Sequence, residues 1–310
     1  MTDEKPKVVV ITGPTASGKS SLAINLALHF GAEIVNADSM QVYRGMDVGT
    51  AKPTISERKG VLHHLLDVAD PDEDFDAAKY RSLGTLILHN INSKNKASFV
   101  VGGTGLYIKS LLNGLLECPP VDSELRDELN RTWEERGPEY LLEKLKIFDP
   151  ESAQKIHPHD RMRVIRALEV YYLTHQPFSS LVRSHGFKDK SFHALKICLE
   201  VDRSRLYERI DQRSWSMIEA GLISETERLL AKGYTHDLKP MNSLGYRHIL
   251  KFLNGEYDLD EAIRQLQRDT RRYAKRQITW FRSDPEMIWM KSDDPSGVIQ
   301  KIGMFYEKST

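Results

Sequence analysis

The sequence predicts an α/β fold, a P-loop-type parallel sheet core with a helical domain inserted into it. Two patterns carry that expectation. Short apolar, β-branched runs are followed by glycine-bearing turns and then by amphipathic stretches, the order of a parallel sheet with crossover helices. From Asp122 to about Arg183, by contrast, every periodic signal is helical. The expected division is a catalytic core of residues 1–120 plus 189–310 and a helical insertion of residues 121–188.

The first unit is the most informative. Val8 to Ile11 is a short β-branched run, and Leu22, Ile24, Leu26, Ala27 and Leu28 mark an amphipathic helix. Between them Gly13, Pro14, Thr15, Ala16, Ser17, Gly18, Lys19 and Ser20 fit G-x-x-x-x-G-K-[ST]. The two glycines let backbone N–H groups turn inward around an anion, and the following helix adds its positive end. Lys19 supplies a mobile charge and Ser20 a hydroxyl able to ligate Mg²⁺. This is a phosphate or diphosphate site, and the motif alone does not say whose phosphates it holds.

A second strand is expected over Ala32–Val35, running into Asn36, Ala37, Asp38, Ser39, Met40 and Gln41. Polar groups just past a strand end sit where open α/β sheets place ligands, so Asp38 and Ser39 are candidates, although the same pair suits an ordinary turn. The adjacent His63 and His64 read as structural, since no third metal ligand is near in sequence. A helix is expected over Phe75–Asn92, then a strand over Ala97–Val101. Gly102-Gly103-Thr104-Gly105 follows and leads into another helix. Thr104 would converge on the phosphate loop if both turns face one sheet edge; otherwise it is an N-cap in a left-handed turn.

Within the insertion, helices are expected near Ser123–Arg136, Tyr140–Phe148 and Asp160–Thr174. A strand over Lys188–Val201 resumes the core, and Asp202–Lys232 reads as helical, with Arg205, Arg209 and Arg213 on one face. Gly245-Tyr246 marks a turn. Arg264, Arg268, Arg271, Arg272, Lys275, Arg276 and Arg282 then form a cationic stripe opposed only by Asp269, with Tyr273, Trp280 and Phe281 nearby. Such a stripe suits either RNA phosphate and stacking contacts or a salt-bridged surface helix.

Composition limits the alternatives. The 310 residues are 40% hydrophobic and 28% charged, with zero formal net charge, so attraction to a polyanion must come from local patches. Two widely separated cysteines, Cys118 and Cys198, exclude a cysteine-rich zinc module and suggest a reducing, cytoplasmic setting. The N-terminus lacks the apolar core of a signal peptide, and no stretch approaches the roughly 18–20 apolar residues of a membrane span.

Six blocks together resemble the bacterial tRNA dimethylallyltransferases, also called isopentenyl-diphosphate:tRNA transferases. They are residues 13–20, 37–53, 101–107, 149–171, 245–247 and 274–282, in the family's order over nearly the whole chain. The resemblance implies transfer of a dimethylallyl group from dimethylallyl diphosphate to N6 of adenine-37 beside the tRNA anticodon, assisted by Mg²⁺. The phosphate loop would then hold an isoprenoid diphosphate where the motif alone suggests ATP. On the same basis Asp38 is the general base, Thr104 contacts the diphosphate near the reacting carbon, Arg213 joins the diphosphate clamp and Ser20 ligates the metal. Contacts to the tRNA anticodon stem-loop are implied for Asp38, Ser39, Met40, Gln41, Thr104, Arg126 and Met162, Arg163, Val164, Ile165 and Arg166. Arg271, Arg272, Lys275 and Arg276 complete that set. A monomer is expected, with diphosphate and RNA entering a tunnel from opposite ends. A small-molecule P-loop kinase and an adenylate isopentenyltransferase are the competing readings. Asn36, where the family often has serine, and the stretch before Gly245 depart from the family's pattern.

Overall fold

A computed structural model describes residues 5–116, 118–186 and 189–307. The chain divides into two compact units, residues 1–112 with 191–310, and residues 113–190. In chain order the first unit opens with β1 (Lys7–Thr12), α1 (Lys19–Phe30), β2 (Glu33–Asn36), β3 (His63–His64), α2 (Ala77–Ser93), β4 (Ser98–Gly102) and α3 (Gly105–Asn113). The second unit holds α4 (Ser123–Arg136), α5 (Pro138–Phe148), α6 (Pro150–Lys155), α7 (Arg161–Thr174) and α8 (Phe178–His185). The first unit resumes with β5 (His193–Glu200), α9 (Arg203–Glu219), α10 (Leu222–Ala231), α11 (Tyr246–Leu253), α12 (Leu259–Arg282), β6 (Ile288–Lys291) and α13 (Pro295–Glu307).

The six strands form one parallel sheet in the order β3-β2-β4-β1-β5-β6. β1 lies at its centre, and Val8, Val9, Val10 and Ile11 are fully buried, which is why that strand is apolar without alternation. The chain leaves β1 toward β2, returns through β4 to β1's near side, and later adds β5 on the far side. The order of connection thus reverses at β1, and its C-terminal end is where a parallel sheet opens a ligand crevice. Register brings the loops to that edge together: Thr12 lies beside Gly102 and Cys198, and Asn36 beside Val101.

α1 covers the sheet with Leu22, Ala23, Ile24, Leu26 and Ala27, and α13 joins the same core through Val298 and Ile302. α2 starts on Asp76, whose carboxylate accepts from Ala78 N and Lys79 N at 2.9 and 2.8 Å. No helix among the described residues is long and apolar enough to cross a membrane.

The structure refines several expectations. The 202–232 segment is two helices, broken at Gly221 with φ +94°. Gly245, at φ +92°, caps α11. β6 and α13 lack a readable signal because the strand is four residues long and the helix carries Gly297 and Gly303. Burial of Val298 and Ile302, four apart, holds α13 in place despite those glycines. His63 and His64 form β3; His64 Nε2 meets Glu33 at 2.8 Å, and Glu33 also accepts from Lys96 at 2.7 Å.

The second unit has its own apolar core, including Leu129, Leu141, Leu145, Val164, Ile165 and Leu168. Its polar anchor is Asp149, fully buried. One carboxylate caps α6 through Ser152 N and Oγ at 3.0 and 2.6 Å, and holds the first turn of α8 through Ser179 N and Oγ at 2.8 and 2.6 Å. Burial alone would raise its pKa, but these four bonds outweigh burial and lower it. Asp149→Ala is expected to destabilise this unit by about 2–4 kcal/mol, measured by urea denaturation, because it strips two helix starts at once. Since the folded carboxyl titrates below its unfolded value near 4, the contribution is present above about pH 4 and lost on further acidification. An unchanged unfolding midpoint in the variant would remove Asp149 from this role.

Candidate active site

The loop between β1 and α1 forms an anion nest. Ala16 is left-handed at φ +64° and Gly18 at φ +85°, so successive N–H groups turn to one side. Gly18 serves as the N-cap of α1 with no side-chain cap, which leaves that helix's first N–H groups to the loop. Lys19 reaches back across it, with Nζ 3.4 Å from Pro14 O. Burial lowers the Lys19 pKa to about 8; Asp38 opposes the shift and Arg213 adds to it. Two cations beside one carboxylate make a site with positive charge in excess.

A cavity of about 330 Å³ opens on this loop. Thr15, Lys19 and Ser20 line one part, Asp38, Ser39, Met40 and Gln41 another, and Arg213 of α9 faces them. Ile210, Met217, Leu244 and Leu266 supply apolar wall, and Thr270, Tyr273, Arg276 and Gln277 project from α12. A second cavity, of about 690 Å³, lies on the outer side of the loop, lined by Ala16, Ser17, Gly18 and Arg209 among others. The two share Lys19, Ser20, Ala51 and Arg213 as lining, so the anion nest is reached from both sides.

Asp38 is held by its neighbours. Asn36 Nδ2 donates to Asp38 O at 3.2 Å and to Leu65 O at 3.0 Å, while Asn36 Oδ1 accepts from Asp38 N at 3.2 Å. Asp38 Oδ1 accepts from Met40 N at 2.9 Å. Among the described residues the second carboxylate oxygen accepts no hydrogen bond, and Asp38 lines the cavity. Thr104 turns its hydroxyl across to the next loop, accepting from Ser39 N at 2.9 Å and lying 3.3 Å from Ser39 Oγ. Gln41 donates to Thr50 O and Ala51 O at 3.1 and 3.2 Å, fixing the wall that both cavities share.

The Gly102–Gly105 stretch rules out the alternative of a left-handed turn. None of its glycines has positive φ, so the turn is not left-handed. Each glycine instead makes room. A Cβ on Gly102 would lie 2.2 Å from the Ala37 carbonyl, on Gly103 2.2 Å from Gln277 Nε2, and on Gly105 2.1 Å from Trp280 Nε1. Helix α12 therefore packs into the space that Gly103 and Gly105 leave, and the backbone at Ala37 into the space at Gly102.

Two further expectations need correction. Val164 and Ile165 are core residues of the second unit, at 0% and 4% exposure, so their side chains offer no RNA surface. Of their neighbours, Met162 is 76% exposed, and Arg126 and Arg166 share the buried Glu169 at 2.7 and 2.6 Å. The stripe on α12 is also less free than it reads. Arg271 pairs with Asp211 and stacks on Tyr207, Arg264 pairs with Glu261, and Asp269 engages Arg247, Arg268 and Arg272. Arg272 keeps an exposed side chain, Lys275 lines a separate groove, and Arg276 faces the cavity.

With this geometry in place, the chain was compared with known proteins. The model of the IPP transferase family matches residues 41–284. The chain belongs to that family. A tRNA dimethylallyltransferase of Geotalea uraniireducens is 52% identical over 297 residues, 96% of each chain. One of Desulfosudis oleivorans is 48% identical over 92% of this chain and 91% of its own. The crystal structure of the tRNA isopentenylpyrophosphate transferase of Bacillus halodurans superimposes with TM-score 0.72 at 39% identity, over 98% of this chain and 96% of that one. A eukaryotic dimethylallyltransferase acting on tRNA gives 0.77 at 29% identity, over 94% of this chain and 75% of that one. The core is thus the P-loop NTPase-like fold of these neighbours.

In this IPP transferase family member, Gln277 and Glu225 make contacts that the sequence does not announce, and Tyr273, read there only as an aromatic beside the stripe, lines the cavity. Gln277 bridges two loops, its Oε1 accepting from Thr15 N at 2.8 Å and its Nε2 donating to Gly103 O at 2.9 Å. Tyr273, one turn earlier, is raised in pKa by burial and by Asp38, against hydrogen bonds with Thr104 and Gln277. Glu225, 3% exposed, accepts from the backbone of Asp47, Val48 and Gly49 at 3.1, 2.9 and 3.0 Å and from Tyr246 OH at 2.6 Å. Each is a single polar residue in an amphipathic helix, with no local signal of its partner.

A pH dependence follows from Lys19. Only the protonated amine attracts a diphosphate, so kcat/KM for the donor, which reports the free enzyme, should fall as pH rises through about 8. A profile flat across that pH would mean that Lys19 does not titrate there.

Proposed function

We propose that this protein transfers a dimethylallyl group from dimethylallyl diphosphate to the exocyclic N6 of adenine-37 in tRNAs, giving N6-isopentenyladenosine and diphosphate. The observation that carries this reading is the single cavity that joins an anion nest to an aspartate carboxylate. The bond that breaks is an allylic C–O bond, and negative charge grows on the departing diphosphate. Loop N–H groups, Lys19 and Arg213 stabilise that charge within a site of low dielectric. The adenine amine is a weak nucleophile whose proton becomes acidic only as the C–N bond forms. A carboxylate such as that of Asp38 then accepts it. Thr104, beside Ser39 on the same rim, contacts the diphosphate near the reacting carbon.

The chemistry of the donor set fits Mg²⁺. Ser20, at the start of α1 and on both cavities, offers one hydroxyl ligand, and among the described residues no group of three or more His, Cys, Asp or Glu could hold a metal. Mg²⁺ binds with few protein ligands and substrate phosphates, so Ser20 and the diphosphate would hold it together. When bound it would neutralise charge on the leaving group.

The acceptor base must leave the anticodon stack and enter the cavity. Asp38, Ser39, Met40 and Gln41 line that route with Arg276, and apolar wall from Ile210, Met217 and Leu266 keeps water from the allylic carbon. Exposed Met162, Arg163 and Arg272, with Arg126, Arg166 and Lys275, offer contacts to the anticodon stem-loop. The protein acts in this reading as a cytoplasmic monomer.

The test is label transfer from radiolabelled dimethylallyl diphosphate into unmodified tRNA, with Mg²⁺, no ATP, and free AMP as a parallel acceptor. Label in tRNA alone is expected. Label in AMP would point to a free-nucleotide enzyme, and ATP consumption without label to a kinase. In the same assay Asp38→Ala should lower kcat by about 10²–10⁴-fold while tRNA affinity is retained. Unchanged turnover would remove Asp38 from the role of base.

A further inference from the structure

Gln277 is 5% exposed, yet both ends of its amide are bound to loop backbone. Its oxygen takes the N–H of Thr15, just before the left-handed Ala16 at which the anion nest turns. Its nitrogen holds Gly103 O, in the loop whose Thr104 reaches Ser39 and whose Gly102 abuts Ala37. The contact joins residues 262 apart in the chain. The same turn of α12 presents Tyr273 and Arg276 to the cavity.

We infer that Gln277 is a positioning residue for the donor: it fixes the diphosphate loop from helix α12 and sets the Gly103 loop at the same time. This rests on the diphosphate reading of the loop. Removing the side chain frees the Thr15 N–H, so the nest loses its outside anchor before any anion arrives. Diphosphate binding must then supply the ordering that Gln277 supplies in the intact protein. On the acceptor side Asn36 and Gln41 keep bonds that do not involve Gln277, so the larger defect falls on the donor.

Gly103 offers an independent handle on the same contact. A Cβ there would meet Gln277 Nε2 at 2.2 Å, while its next neighbours are Gln277 Cδ at 3.5 Å and Lys19 Nζ at 3.7 Å, ordinary contacts. Gly103→Ala must therefore push the Gln277 amide out of place. Once the amide is gone, the added methyl has room.

The experiment uses the full chain and inorganic diphosphate with Mg²⁺ as probe, read by calorimetry, beside steady-state KM for dimethylallyl diphosphate and for tRNA. Gln277→Leu should weaken diphosphate binding and raise the donor KM by at least roughly tenfold, since both of its buried loop hydrogen bonds are lost. The tRNA KM should stay within about twofold. Gly103→Ala should reproduce the donor defect, and adding it to Gln277→Ala should cost nothing more, a fully non-additive cycle. Unaltered diphosphate affinity in Gln277→Leu, equal loss of both KM values, or additive penalties in the cycle would each overturn the inference. Wild-type protein that bound diphosphate but labelled no tRNA would refute the proposed reaction, and the variants' diphosphate affinities would still decide the role of Gln277.

Discussion

The site rests on one close approach. Between β4 and the loop after β2, two backbones come so near that a methyl group on Gly102 would sit 2.2 Å from the Ala37 carbonyl. The approach is possible because the parallel register sets Asn36 beside Val101 and Gly102 beside Thr12. Two hydrogen bonds then use it, Ala37 N to Val101 O at 2.7 Å and Thr104 N to Ala37 O at 3.0 Å. Asp38, immediately after Ala37, is thereby fixed to the same sheet edge as the phosphate loop. Without that proximity the carboxylate and the anion nest would belong to separate loops with separate motions.

Charge completes what backbone geometry begins. Lys19 and Arg213 are both half-buried beside the cavities, and burial lowers the affinity of each for a proton. Asp38 partly offsets them. Burying two cations beside one carboxylate costs free energy that a bound anion would offset. Elsewhere the cations are largely neutralised. Asp211 ties Arg271 to α9, and Asp269 gathers Arg247, Arg268 and Arg272 with His248, so much of the basic helix is held to its own unit.

What could be read from the sequence was local. A strand, a glycine loop and a helix lie within some twenty residues, and the phosphate loop is legible for that reason. Asp38 and Thr104 were legible as polar groups past strand ends, supported by the resemblance of their blocks. The glycines at 102–105 were ambiguous, because a sequence does not distinguish a residue needing positive φ from one needing empty space. Asn36 was flagged only as a departure, although its amide brackets Asp38. The partners of Gln277 and Arg271 lie 60 or more residues away, and no periodicity encodes them. Val164 and Ile165 were assigned to an RNA surface by their block, although adjacent apolar positions on a helix with Leu168 argue for burial.

The central position of β1 has a consequence for how this chain is made. Its six residues pair with His193–Cys198 along one side, 186 positions later, while the other side pairs with β4. At synthesis rates of roughly 5–20 residues per second, the nascent chain carries β1 with one edge open for roughly ten to forty seconds. That edge belongs to an apolar strand, the kind that recruits foreign strands. The intervening 113–190 unit has a core of its own and is synthesised before β5 is available to close that edge. The strand that leads directly into the phosphate loop is thus also the stretch that waits longest for its partner.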